Sequence, residues 1–182
     1  MKKLLFICLS VFLLDEYVIG QVNQESGLDY YNKAVVCFAD GDINSGQINM
    51  DIAFSKGFMS LHNLIVLAGQ NFNNGLTNGR VSAFYITLSM CDNLLFYFDN
   101  ELTYSEKEDI YAMRGVSKLN IADLKGMKNT LEYAGCRGDL EKGGEYGKAV
   151  IQEYKGKTQK QQNRQKAPQG KRLKKDPNFK IE

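Results

Sequence analysis

The stretch Tyr111 to Ala134 reads YAMRGVSKLNIADLKGMKNTLEYA, and it repeats in degenerate form the stretch Tyr30 to Ala53, YYNKAVVCFADGDINSGQINMDIA. The offset between them is a constant 81 positions. Tyr30, Ala34, Phe38, Gly41, Asp42, Ile43, Gly46, Met50 and Ala53 correspond to Tyr111, Gly115, Leu119, Ala122, Asp123, Leu124, Met127, Leu131 and Ala134. Small residues stand where two helices must approach closely, and large apolar residues fill the space between them. The reading is an all-α chain of stacked antiparallel helix hairpins. Such stacks hold other molecules, which favours a binding protein over an enzyme.

Around the two copies the same periodicity continues. Leu28, Tyr31, Val35 and Phe38 recur at helical spacing and predict a helix over 27–39. Asp40-Gly41-Asp42 is turn chemistry, with Asp42 as N-cap of a partner helix that Lys56-Gly57 closes. Leu61, Leu64, Ile65 and Ala68 mark a third helix. The Asn- and Gly-rich run Gln70 to Gly79 predicts a loop. Val81, Phe84, Tyr85, Leu88 and Leu95 mark a long fourth helix. The aromatic run Asn93 to Asp99, NLLFYFD, either carries that helix into the core, the preferred reading, or lines a groove. Thr103 and Glu106 form a capping box for a fifth helix. Asp123 is read as the cap of a sixth helix bearing Leu124, Met127, Leu131 and Ala134. Gly138 to Tyr154 predicts a short turn and a last helix.

These residues resemble tetratricopeptide repeats, which recur every 34 residues as a helix–turn–helix. The second copy is the better match, through Arg114-Gly115 and Asp123-Leu124; the segment between the copies fits one lengthened repeat. The departures are Met127, where the family has Ala, and the lack of a closing Pro in either copy. The resemblance covers 27–154 and implies an α-solenoid of about three repeats plus a C-terminal capping helix. It further implies a protein–protein scaffold or adaptor that holds a partner protein or peptide on the concave face of its first helices. Carried over position by position, that face presents Tyr31, Val35 and Phe38 early, and Ala112, Val116 and Asn120 late, beside Asp109. This surface is mostly apolar, so recognition by apolar contact is expected.

The two ends of the chain differ from its middle. Met1-Lys2-Lys3 and the uncharged run Leu4 to Leu14 precede Asp15-Glu16, with small residues before a cut at Gln21. That is the order of a secretory signal peptide over 1–20, so the protein is expected to be exported to the periplasm or the extracellular space. Residues 21–154 form the helical domain and 155–182 a disordered basic tail, because the tail has almost nothing apolar to bury. From Lys155 onward there are ten basic and two acidic residues, a charge of +8; since the whole chain carries +2, the remainder carries −6. Lys171, Arg172, Lys174 and Lys175 are the densest cations. They define the alternative function, envelope anchoring on anionic lipid or an acidic polymer; nucleic acid is an unlikely target for an exported chain. Removal of the signal peptide leaves Cys37, Cys91 and Cys136, of which Cys91 and Cys136 are the pair to test for a disulfide.

Enzyme readings are weak. His62 is the single histidine, so no His-based metal cluster can form and a hydrolytic triad would depend on that residue alone. Gly143 to Lys148 lacks the spacing of a phosphate loop, and Ala149 stands where a hydroxyl would hold a metal ion. No catalytic residue, metal or cofactor is assigned.

Overall fold

A computed structural model describes residues 25–127 and 130–166, with side chains placed through Thr158. The signal-peptide reading at 1–20 and the cations Lys171, Arg172, Lys174 and Lys175 lie outside the described residues. The described chain is all-helical. Its helices are α1 (Gly27–Asp40), α2 (Ile43–Ser55), α3 (Leu61–Asn78), α4 (Val81–Tyr97), α5 (Tyr104–Leu124), α6 (Cys136–Lys142) and α7 (Gly144–Lys166), with a 3-10 turn at Thr130–Gly135. No helix among them is long and apolar enough to cross a membrane.

The first hairpin forms as its sequence predicts. Ser26 and Asp29 cap α1 reciprocally: the Asp29 amide donates to Ser26 Oγ at 3.2 Å, and the Ser26 amide donates to Asp29 Oδ2 at 2.8 Å. Gly41 ends α1 in the left-handed region, φ +83°, and Asp42 then caps α2 by accepting from the Ser45 amide at 3.1 Å. Gly46 allows the two helices to close: a Cβ there would lie 2.7 Å from the ring of Phe38.

Helix α4 organises the rest. Ala83, Phe84, Ile86, Thr87, Ser89, Met90, Cys91, Asn93 and Leu94 are all buried, which surrounds most of the helix with protein, the position that a helix apolar on all faces requires. It touches α1, α2, α3 and α5. Phe38 of α1 stacks with Tyr85, and Phe54 of α2 with Tyr97. The first core cluster gathers Ala34, Phe38, Met50, Phe54, Leu64, Met90, Leu94 and Ile110 around this helix. A second, smaller cluster of Phe72, Val116, Leu119, Leu131, Cys136, Leu140 and Ile151 joins α5, α6 and α7.

Three sequence expectations are corrected. Gln70 to Asn78 is helix, not loop: α3 runs to Asn78, and Leu64, Ala68, Phe72 and Gly75 make one buried stripe. The Asn-rich face of that stretch points outward, while Gly75 leaves room for the Phe84 ring, which a Cβ would meet at 2.8 Å. There is no sixth helix capped by Asp123. Asp123 lies in the last turn of α5, Met127 and Ala134 are exposed, and Leu131 is buried in the 3-10 turn. Finally, α7 runs to Lys166, so the first twelve residues assigned to a disordered tail, 155–166, continue the helix.

Candidate functional site

The expected binding face is largely interior. Phe38, Ala112 and Val116 are buried. Tyr31 is half-buried, stacked on Phe58 at 5.2 Å between ring centres, with its hydroxyl accepting from Asn71 Nδ2 at 3.5 Å. Val35 packs against the first core cluster. Asn120 Nδ2 donates to the Val116 carbonyl at 2.8 Å. Apolar residues at helical spacing served packing here, and their pattern alone does not separate a core stripe from a binding stripe.

Elsewhere on the surface a cleft of about 310 Å³ opens between α2 and α4, lined by Gln47, Asp51, Asp92, Asn93, Phe96 and Tyr97. Asp51 is held from two sides. Gln47 Nε2, one turn earlier on α2, donates to Asp51 Oδ1 at 2.8 Å. Buried Asn93 on α4 donates to the same oxygen at 2.8 Å and also to the Ser89 carbonyl at 3.0 Å. Next to it stand two aromatic rings. Phe96 is 79% exposed and meets Tyr97 edge-on at 4.9 Å between centres. Tyr97 has its other side on Phe54. The aromatic run 93–99 therefore divides: Asn93 and Leu94 enter the core, and Phe96 and Tyr97 line the cleft.

The floor of the cleft connects to a buried charge network. Asp92 Oδ1 accepts from Arg114 Nη1 at 3.0 Å. Arg114 also donates from Nε and Nη2 to the two oxygens of Asp139, at 3.0 and 2.6 Å. Lys118 Nζ donates to Asp139 Oδ2 at 2.7 Å. Asp139 is 6% and Lys118 11% exposed in their side chains, so this pair is buried between α5 and α6, and the partly exposed Arg114 and then Asp92 carry the network to the surface. Burial raises Asp92 above the ordinary carboxylate value, against the pull of Arg114 and Lys118.

No protein-family model matches this chain, no curated protein matches it, and no solved structure matches it.

Cys37, Cys91 and Cys136 are free thiols. Cys91 lies in the first core cluster and Cys136 in the second, where its Sγ donates to the Gly115 carbonyl at 3.2 Å; the pair named for testing, Cys91 and Cys136, is not bridged, each thiol being enclosed by a different cluster. His62 is exposed at the start of α3. Among the described residues no group of three or more His, Cys, Asp or Glu side chains is placed to hold a metal ion. The sequence reading offered groove lining as the alternative for the run 93–99 but missed the Asp51 side, because the cleft's parts come from two helices, with 42 positions between Asp51 and Asn93.

Proposed function

We propose that this chain is a helical adaptor, without catalytic activity of its own, that holds a cation-bearing segment of a partner protein in the cleft between α2 and α4. One observation carries the reading: a carboxylate fixed by two amide donors, Asp51, stands beside an aromatic ring, Phe96, left 79% exposed. A Lys or Arg side chain satisfies both. Its charge meets the carboxylates of Asp51 and Asp92, and its stem or guanidinium plane covers the rings, adding a cation–π contribution of about 0.5–2 kcal/mol. Because Asp51 is already oriented, little ordering is lost on binding. The contact surface thus moves from the apolar face expected of a tetratricopeptide-like array to an acidic and aromatic one. The hairpin at 27–55 supports that family reading; the uninterrupted run of α5 through Asp123 counts against a regular array. The N-terminal sequence supports export.

The test is fluorescence anisotropy with a labelled Lys/Arg-rich peptide. Asp51→Asn and Phe96→Ala should each weaken binding about tenfold, the equivalent of about 1.4 kcal/mol, and binding should weaken with salt. Equal affinity in wild type and both variants would remove the proposal.

A second reading rests on a separate groove of about 300 Å³ between α3 and α5, lined in part by Ile65, Gly69, Phe72, Ala112, Met113 and Tyr146. It lies along the first helices of the second and third hairpins, where the family resemblance puts a partner helix. A Cβ at Gly69 meets nothing within 4 Å, so Gly69→Trp fills the groove from an open position. Partner loss in that variant, with Asp51→Asn unaffected, would select this reading.

A further inference from the structure

The charges that complement the cleft belong to the chain itself, and the helices decide whether they can reach it. Helix α7 starts beside the start of α5: a Cβ on Gly144 would lie 2.9 Å from the Glu108 carboxyl carbon. It is last anchored near the end of α5, where Tyr154 donates to Asp123 Oδ1 at 3.2 Å and is bonded to Thr130. The two helices therefore run in the same direction. Beyond Tyr154, α7 continues for twelve residues to Lys166, about 18 Å at 1.5 Å per residue.

The cleft lies the other way. Asp92 is tied to Arg114, and α4 runs antiparallel to α5 through the short connection at 98–103, so Phe96 sits nearer the start of α5 than Asp92 does. From the level of Arg114 to that of Asp123 is about 14 Å of helix, and the α7 extension brings the separation to about 30 Å. An extended chain covers at most about 3.5 Å per residue. Measured from Lys166, Lys171 and Arg172 can return only about 17 and 21 Å. By the same limit Lys174 and Lys175, eight and nine residues after Lys166, return about 28 and 32 Å, so the first half of the densest run falls short of its own cleft and the second half reaches it only with the chain drawn straight.

We propose that the basic C-terminal region of one copy, from Lys155 onward, docks in the acidic and aromatic cleft of a second copy. The proposal rests on the reading of that cleft as a site for cationic segments and names its partner. The charges agree, +8 from Lys155 onward against −6 for the rest of the chain. The contact joins two different surfaces, so it is heterologous: it leaves one cleft and one C-terminal region unused at the ends of every open assembly.

The experiment uses the full chain in light scattering and sedimentation over increasing concentration, at low and high salt. The expected result is concentration-dependent association that high salt reverses. A cleft variant, Asp51→Asn with Phe96→Ala, and a tail variant, Lys171→Gln, Arg172→Gln, Lys174→Gln and Lys175→Gln, should each lower the association constant about tenfold or more. Mixed one to one, the two variants should form a dimer and nothing larger, since one supplies only a tail and the other only a cleft. A peptide of sequence KRLKKDPNF, residues 171–179, separates the two levels of the argument. If it binds the wild-type chain in an Asp51-dependent way while the chain stays monomeric at every concentration, self-association is wrong and the cleft reading stands. If it binds nowhere, both fall. Association that survives both variants would assign the contact to another surface and overturn the proposal.

Discussion

Asp92 is bound to Arg114 by a 3.0 Å contact that ends a chain of charges running from the cleft floor to buried Asp139. Two cations face two carboxylates, and the balance needs Asp139, because among the described residues Lys118 has no other partner and Arg114 has only Asp92 besides. Asp139→Ala leaves buried Lys118 without a counter-charge and Arg114 with Asp92 alone, and should destabilise the fold by about 3 kcal/mol. Replacing the group together, with Arg114→Met, Lys118→Met and Asp139→Leu, should cost far less than the separate losses summed. Urea unfolding monitored by circular dichroism measures both.

Phe96 and Phe54 make opposite demands on the fold. Phe96→Ala removes a ring that is already in water and should change stability by less than about 0.5 kcal/mol. Phe54 is 4% exposed and packs against both Phe58 and Tyr97. Phe54→Ala should cost about 3–5 kcal/mol and, by freeing Tyr97, should also loosen the cleft. Melting temperatures set beside peptide affinities distinguish a binding ring from a packing ring.

Acid should abolish binding before it unfolds the domain. Hydrogen bonds from Ser26, Ser45 and Thr103 hold Asp29, Asp42 and Glu106 below their ordinary 3.8, 3.8 and 4.5. Carboxylates lowered by folding stabilise the fold above their unfolded values, and that contribution is lost as pH falls through the lower, folded values. Asp92 has the opposite sign: burial raises it above 3.8, so its charged form costs stability, and acid relieves that cost. On acidification it takes up its proton before Asp29 and Asp42 do. Affinity for the cationic peptide should therefore begin to fall at a higher pH than the one at which the far-ultraviolet dichroism is lost.

The described thiols should resist modification unequally. Burial pushes Cys136 up to about 12 and raises Cys91 as well, so both stay protonated at pH 8. Cys37 is only partly buried. Iodoacetamide should label Cys37 in the native protein and reach Cys91 and Cys136 only in denaturant. Peptide mapping by mass spectrometry reads each site, and a Cys91–Cys136 disulfide peptide should be missing from the non-reduced digest.

What the sequence showed and what it hid both come down to single residues. The hairpin at 27–55 was legible because Gly41 supplies a left-handed residue and Asp42 a cap directly after it. The second copy has Ala122 at the position of Gly41. Ala122 is fully buried, and its side chain disfavours the left-handed turn, so α5 runs on to Leu124. Gly126, φ +66°, makes the left-handed turn four residues later than the alignment places it. Matching by position treated Ala122 as another small residue, whereas the backbone distinguishes Ala from Gly. The Thr103 capping box was correctly located because it is local, and its Oγ accepts from the Glu106 amide at 3.3 Å. The cleft and the charge network depend on pairs 21 to 42 positions apart, which no local pattern reports.

The enclosure of α4 has a consequence for how the domain comes apart. A linear stack of hairpins loses units from its ends, each taking only its own interface with it. Here α4 depends on α1, α2, α3 and α5 together, so peeling away any one of them strands apolar surface on the central helix. The first four helices and α5 should therefore melt in a single transition, and shortening the chain by one hairpin from its N-terminal side should give an unfolded product in place of a smaller array.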